Sequence, residues 1–352
     1  MKRRDFILKT TGGIVAIGAA GCSDDEKNPV VPDTKGDSIP TTKLGKTDIT
    51  VSKFAFGSHI LPGNVNNTAE REYMIRDAYE KGVTTFDIYN KEGGAYQYEP
   101  MSIYLTPILY DVVISVKMKP EGSRTFEEQF FYNLELFKRD YLDMVRIRAD
   151  KPGNDEWNFL ERLFELRDEG YLRAVGAAVH KPEEMNEVIE AYGDEIDYIC
   201  FPYNFYHNKW KGSANGSITD EEDFDPLIQL LHNKGIGIVT IKPFTGDYLV
   251  QTLKEAAKVV NPEISYSQAC LRYIINSDLN PDTTFAGMNY LREFDENIKA
   301  FYNPEITEEE TALLNQLRDV AQKTAHLLLP DHYKFLNDWA PKPDISENYK
   351  LG

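Results

Sequence analysis

Eight short apolar runs recur along this chain at intervals of roughly 30 residues, and that period limits the fold more than any single residue does. They are "VSKFAFGS" (51–58), "VTTFDIY" (83–89), "DVVISVK" (111–117), "YLDMVRIR" (141–148), "LRAVGAAV" (172–179), "IDYICFPY" (196–203), "GIGIVTIK" (235–242) and "TTFAGM" (283–288). Each is followed by a stretch of helical period, such as "AEREYMIRDAYEKG" (69–82) or "NDEWNFLERLFELRDEG" (154–170). Gly82, Gly170 and Gly235 stand where C-terminal helix caps belong.

Eight βα units in roughly 280 residues predict an α/β fold of the (β/α)8 TIM-barrel type. A doubly wound open sheet would need a glycine-rich fingerprint after its first strand, and the sequence has no GxGxxG. The stretch "ITEEETALLNQLRDVAQKTA" (306–325) adds a closing helix, so the barrel is expected over 44–325. The tail, 326–352, holds aromatics and prolines without a period. It either covers the barrel mouth or takes no fixed structure.

The N-terminus reads differently. "MKRRDFILKTTGGIVAIGAAGC" has a basic start, a weakly apolar stretch and small residues before Cys22. That is the layout of an export signal over 1–21, too short and too glycine-rich for a membrane span. Arg3 and Arg4 with the following Phe6, Ile7, Leu8 and Lys9 resemble a twin-arginine signal, which exports folded proteins. "AAGC" resembles a lipobox, implying cleavage before Cys22 and a lipid on its thiol. The expected location is then the cell envelope, with the membrane touched only through that anchor. "SDDE" after Cys22 reads either as an acidic sorting tag or as plain linker. Residues 22–43 are expected to form a Pro-rich polar tether.

A net charge of −18 argues against nucleic acid as a partner. Cys200 and Cys270 have no CxxC or Cys/His neighbours, so they read as free buried thiols, and no metal motif is present. In a barrel of this type, chemistry sits at the C-terminal ends of the strands. Those ends offer Asp87, Lys117, Arg148, His180, Tyr203, Asn204 and Lys242.

Several segments together resemble the aldo/keto reductases. "LGKTDITVSKFAFGS" (44–58) is similar to that family's opening hairpin and first strand, and "GVTTFDIYN" (82–90) to its aspartate segment. "VVISVK" (112–117) is similar to the strand ending in the catalytic lysine. "GYLRAVGAAVHKPEEM" (170–185), "PYN" (202–204), "GIGIVTIKPFTGDYL" (235–249) and "AGMNYLREFDEN" (286–297) follow in family order. The resemblance implies hydride transfer from NADP or NAD to a carbonyl or sugar-type substrate. In that chemistry a tyrosine donates the proton, a lysine and an aspartate tune it, and a histidine orients the carbonyl.

Asp87 and Lys117 occupy the aspartate and lysine positions. The tyrosine position holds Glu92, with Tyr89, Tyr96 and Tyr98 nearby; Tyr96 reaches the site if "KEGGA" is an insertion. The histidine position holds Arg148, and the pair expected to hold the carboxamide is Ala178–Val179. Ile241 replaces the stacking tyrosine. The resemblance assigns Asn204, Lys242, Gly287, Glu296 and Asn297 to the cofactor, with Arg292 as a shifted candidate for a 2′-phosphate.

Strand parity puts Arg146 and Arg148 on one face, towards the barrel interior and Lys117. Two readings stand. One is a buried ion network, Asp87 with Lys117 and an arginine with Glu92. The other is an anion pocket in which Arg146, Arg148, His180 and Tyr203 hold an acidic sugar or similar small molecule. The alternatives to a reductase are a non-redox barrel that binds or processes an acidic carbohydrate, and a non-catalytic surface component.

Overall fold

The computed structural model describes residues 38–59, 68–89, 97–120, 122–149, 155–208 and 225–340. Arg3, Arg4, Cys22, Glu92 and Tyr96 lie outside them.

The chain enters through an antiparallel hairpin, β1 (Thr41–Lys43) and β2 (Thr50–Ser52). The stretch read as linker therefore ends in a strand. Then the βα units follow: β3 (Phe54–Gly57), α1 (Thr68–Glu80), β4 (Thr85–Tyr89), α2 (Tyr98–Leu105), β5 (Val113–Lys117), α3 (Phe126–Leu136), β6 (Leu142–Arg148) and α4 (Asp155–Asp168). The second half holds β7 (Leu172–Ala178), α5 (Pro182–Tyr192), β8 (Tyr198–Pro202), α6 (Asp225–Lys234), β9 (Gly237–Ile241), α7 (Asp247–Val260), α8 (Tyr266–Ile275), β10 (Thr283–Gly287) and α9 (Leu291–Tyr302). A long helix, α10 (Glu308–Leu328), and a 3-10 segment (Asp331–Trp339) finish the described chain.

Strands β3 to β10 form a closed parallel barrel, sealed where β10 pairs with β3. This is the (β/α)8 TIM barrel, with all eight expected strands in place. Outward residues such as Phe56, Phe86, Ile114, Val145, Ile199 and Ile238 join the helices in the main core. Their burial on both faces is what a parallel sheet under helices requires. Gly82, Gly170 and Gly235 take positive φ at the ends of α1, α4 and α6.

The hairpin plugs the N-terminal end. Leu44, Ile49 and Val51 share an interior cluster with Met144, Ala174, Tyr198 and Val239. Tyr198 lies across the lumen, where any side chain at position 176 would overlap its ring, so the sequence has glycine there. Among the described residues, the cavity lies at the C-terminal end of the strands. Arg71 of α1 braces that end across the seam, donating to the carbonyls of Met288 (2.6 Å) and Ser58 (2.7 Å).

A second core joins α7, α8 and α10, with Leu249, Leu253, Leu313 and Leu317 buried in it. The described part of the tail continues from α10 as a strap. Trp339 is fully buried, stacked on Phe201 with centroids 5.7 Å apart, and its Nε1 donates to the His180 carbonyl at 2.7 Å. Cys200 and Cys270 are both free and buried, as their surroundings suggested.

Candidate functional site

Inward parity decides which side chains meet. On β4 the inward residues are Asp87 and Tyr89, on β5 Ser115 and Lys117, and on β6 Arg146 and Arg148. The register sets Asp87 opposite Ser115, Tyr89 opposite Lys117, and Lys117 opposite Arg146. Asp87 pairs with Arg146 across the lumen, skipping β5. Its Oδ1 accepts from Nη1 at 2.5 Å and its Oδ2 from Nη2 at 2.9 Å. Ser115 Oγ accepts from Nη1 (3.0 Å) and donates to Oδ1 (3.1 Å), which closes the group.

The expected Asp87–Lys117 couple is thus replaced by a bidentate Asp87–Arg146 pair. The cause is geometric: Arg146 is long enough to reach past β5 to Asp87, and the small Ser115 between them joins the pair. Burial alone would lower the pKa of Arg146, but the Asp87 carboxylate outweighs it and holds the guanidinium charged. Burial likewise raises the Tyr198 phenol, and raises the nearby Cys200 thiol to about 11, so neither is an anion at neutral pH.

Above this layer the mouth is aromatic and cationic. Lys117 Nζ lies over the Tyr89 ring, 4.8 Å from its centroid, and His59 packs against that ring at 5.9 Å. Tyr98 Oη donates to the Lys117 carbonyl at 2.5 Å, which fixes the strand end. His180 stacks on Phe335 of the strap, with centroids 4.2 Å apart and planes 7° apart. Its Nδ1 is buried without a hydrogen-bond partner among the described residues. Burial, reinforced by Arg148, Lys242 and Lys117, lowers its pKa to about 2. His180 is therefore a neutral imidazole surrounded by cations.

A cavity of about 290 Å³ joins this mouth to an arm over the ends of β9 and β10. Asp87, Tyr89, Lys117, Arg146 and His180 line the mouth, with Ala178, Ile241 and Phe285 as its apolar wall. Lys242, Gly246, Gln251, Lys254, Glu293 and Asn297 line the arm. Lys242 adopts φ 57°, and Asn204 holds it there by donating to its carbonyl at 2.9 Å. The other amide atoms of Asn204 engage Tyr206 and His207. Asn204 is thus committed to the turn.

Of the residues expected at the site, Asp87, Lys117, Arg146, His180, Lys242, Gly287 and Asn297 line one cavity. Of the other expected residues that are described, Tyr203, Asn204, Arg148, Arg292 and Glu296 are not in its wall. Tyr203 faces outward into the main core beside Tyr273, because inward parity on β8 belongs to Tyr198, Cys200 and Pro202. Arg292 is exposed and lies over the Tyr290 ring at 4.2 Å. Glu296 accepts from Ser265 Oγ (2.6 Å) and pairs with Lys254 (3.5 Å) behind the arm. Arg148 is half-buried near His180. His59 and Glu293 escaped the sequence reading. Parity could have found His59, two residues past inward Gly57. Glu293 sits at the third helical position of α9, which marks it as a cap.

The arm suits a dinucleotide. Phosphate sites in such barrels form after the seventh and eighth strands, beside an added helix, and here these are β9, β10 and α7. The N-terminus of α7 carries no side-chain cap, and Gly246 precedes it with φ 84°. A Cβ at Gly246 would reach to 3.2 Å from Leu336 of the strap. An uncapped helix start beside Lys242 offers backbone N–H groups and a cation to a pyrophosphate. The mouth offers a flat apolar wall for an aromatic ring, while Ala178 and Ile241 give its polar substituent no side-chain partner.

Residues 53–319 match the aldo/keto reductase family. A curated relative, the uncharacterized oxidoreductase YqkF of Bacillus subtilis (strain 168), is 19% identical over 300 residues, 77% of this chain and 94% of its own. Among solved structures, aldo-keto reductase AKR11C1 from Bacillus halodurans superposes in its apo form with a TM-score of 0.59 and in its holo form with 0.61. Each is 17% identical, over 79% of this chain and 96% of that one, and shares its fold.

Proposed function

The chain belongs to the aldo/keto reductase family, and from that premise we propose that it is a nicotinamide-dependent oxidoreductase that reduces a carbonyl on a small anionic substrate. One observation carries the proposal: a single cavity joins the Tyr89–Lys117–His180 mouth to the phosphate-type cradle at Lys242 and Gly246. The nicotinamide, when bound, supplies hydride. Lys242 and the start of α7 hold its phosphates.

The rest falls to the chain. Tyr89 is the phenol beside Lys117 that lines the mouth, and its Oη donates the proton to the nascent alkoxide. The Lys117 ammonium favours the phenolate that remains. Arg146 keeps Asp87 neutralised below, so Lys117 works as a positive charge at the mouth. Neutral His180 can take a hydrogen bond from the substrate. The cations around it, Lys117, Arg148 and Lys242, favour a substrate with a carboxylate or similar anion, such as an acidic sugar. The altered partners replace the Asp–Lys couple by an Asp–Arg pair and leave the lysine to the phenol.

The expected experiment is a fluorescence titration of the purified protein with reduced nicotinamide cofactor, followed by a turnover assay. Saturable binding is expected. Tyr89→Phe should keep the binding and lower turnover roughly 10²–10⁴-fold. No saturation at millimolar cofactor would refute the reading. Export and lipidation at Cys22 are a separate proposal, resting on the N-terminal sequence alone. Metabolic labelling with palmitate should mark the protein and fail on Cys22→Ala.

A further inference from the structure

We propose that the far end of the arm selects the cofactor without a 2′-phosphate, NADH over NADPH, and that Glu293 sets the choice; this rests on the dinucleotide reading above. The observation is a fixed carboxylate. Glu293 lines the cavity, and its Oε2 accepts from the Asn289 backbone N at 2.6 Å. Its position is thus set by the backbone at the start of α9.

With the phosphates at Lys242 and the start of α7, the adenosine half falls to the remainder of the arm, between Gln251 and Lys254 of α7 and Glu293 and Asn297 of α9. A ribose 2′-hydroxyl there can donate to the free lone pairs of Glu293. A 2′-phosphate brings about two negative charges to the same carboxylate, in a cleft where the field is not screened by bulk water.

Two cations lie near enough to bear on that charge, and each is engaged by another group. Lys254 pairs with Glu296 at 3.5 Å, and the other oxygen of Glu296 accepts from Ser265 at 2.6 Å. Arg292 follows Gly287 closely in sequence, yet its guanidinium lies over the Tyr290 ring on the exposed side of α9. Lys254, Glu296 and Glu293 together leave one net negative charge at this end.

The test uses two fragments that differ only at this end, ADP-ribose and 2′-phospho-ADP-ribose, titrated by calorimetry into the full-length protein. ADP-ribose should bind at least roughly tenfold more tightly. Glu293→Gln keeps the acceptor for Asn289 N, so α9 stays capped, and should shrink the ratio to about threefold or less. Glu293→Lys should invert it. Equal or tighter binding of the 2′-phospho form by the unaltered protein would overturn the inference, as would an unchanged ratio in a folded Glu293→Gln. If neither fragment saturates, the dinucleotide reading fails first, and that result is distinct from a reversed preference.

Discussion

Arg146 and Asp87 are each buried to within 5% of full exclusion from solvent, and each exists there because of the other. Removing one partner leaves the other charge stranded in the lumen, a loss of about 3–5 kcal/mol in comparable buried pairs. Arg146→Met should therefore lower unfolding free energy by about that amount in urea. Asp87→Asn with Arg146→Met should recover most of it, because no isolated charge remains. A single-variant loss under about 1 kcal/mol would mean that Lys117 moves in to replace Arg146. His207 carries a second residue-scale expectation. It is fully buried, and burial, helped by Lys242, lowers its pKa to about 3 from 6.5. Between those values the unfolded chain takes up a proton that the folded chain refuses. Stability is then complete above pH 6.5 and is lost as pH falls below it, by up to about 1.4 kcal/mol per unit for each such histidine. His180 acts in the same direction. Measured as urea midpoints between pH 7 and 5, the slope should be shallower in His207→Gln.

At the scale of elements, the eight strands and the closing helix were legible because each βα unit repeats one physical pattern, a doubly buried strand followed by a helix that covers it. The site was legible only where parity and motif agreed. Asp87, Lys117 and Lys242 lie at strand ends and reach the cavity; Tyr203 lies one residue past the inward position and does not. The Asp87–Arg146 pair joins strands that are not neighbours, so no local pattern shows it. Its trace in the sequence is indirect: Ser115, a small inward residue on the strand between them, which leaves room for a long side chain to pass. Asn204 was matched to the family for cofactor contact, yet it acts one step away, through the Lys242 carbonyl. Asn204→Ala should cost about 1–3 kcal/mol for the unmatched buried groups. The turn holding Lys242 at positive φ would relax with it, so cofactor affinity should fall as well. Loss of stability with unchanged affinity would show that the loop keeps its shape unaided.

For the whole molecule, the open end of the barrel is set by its closed one. The hairpin fills the N-terminal mouth with Leu44, Ile49 and Val51, and the strap roofs part of the other with Phe335 and Trp339. The strap meets the mouth at His180, where Trp339 holds the carbonyl while Phe335 covers the ring, and meets the arm at Lys242, which lies over the Tyr333 ring at 4.5 Å. Burial, to which that cover contributes, is the main reason the imidazole stays neutral. Trp339→Ala removes a fully buried indole, worth about 3–5 kcal/mol, from the end of a short 3-10 segment whose other buried side chain is Leu336. The loss should appear as local opening. Protease cleavage within 331–339 should rise, while the urea midpoint of the barrel stays nearly constant. With the cover gone, water reaches the His180 ring, and its pKa should climb from about 2 towards 6.5. Proton NMR of the imidazole would register that climb. A ring that stays neutral at pH 5 after the strap is cut would mean that Arg148, Lys242 and Lys117 suppress it on their own, and the strap would then be packing with no hold on the chemistry.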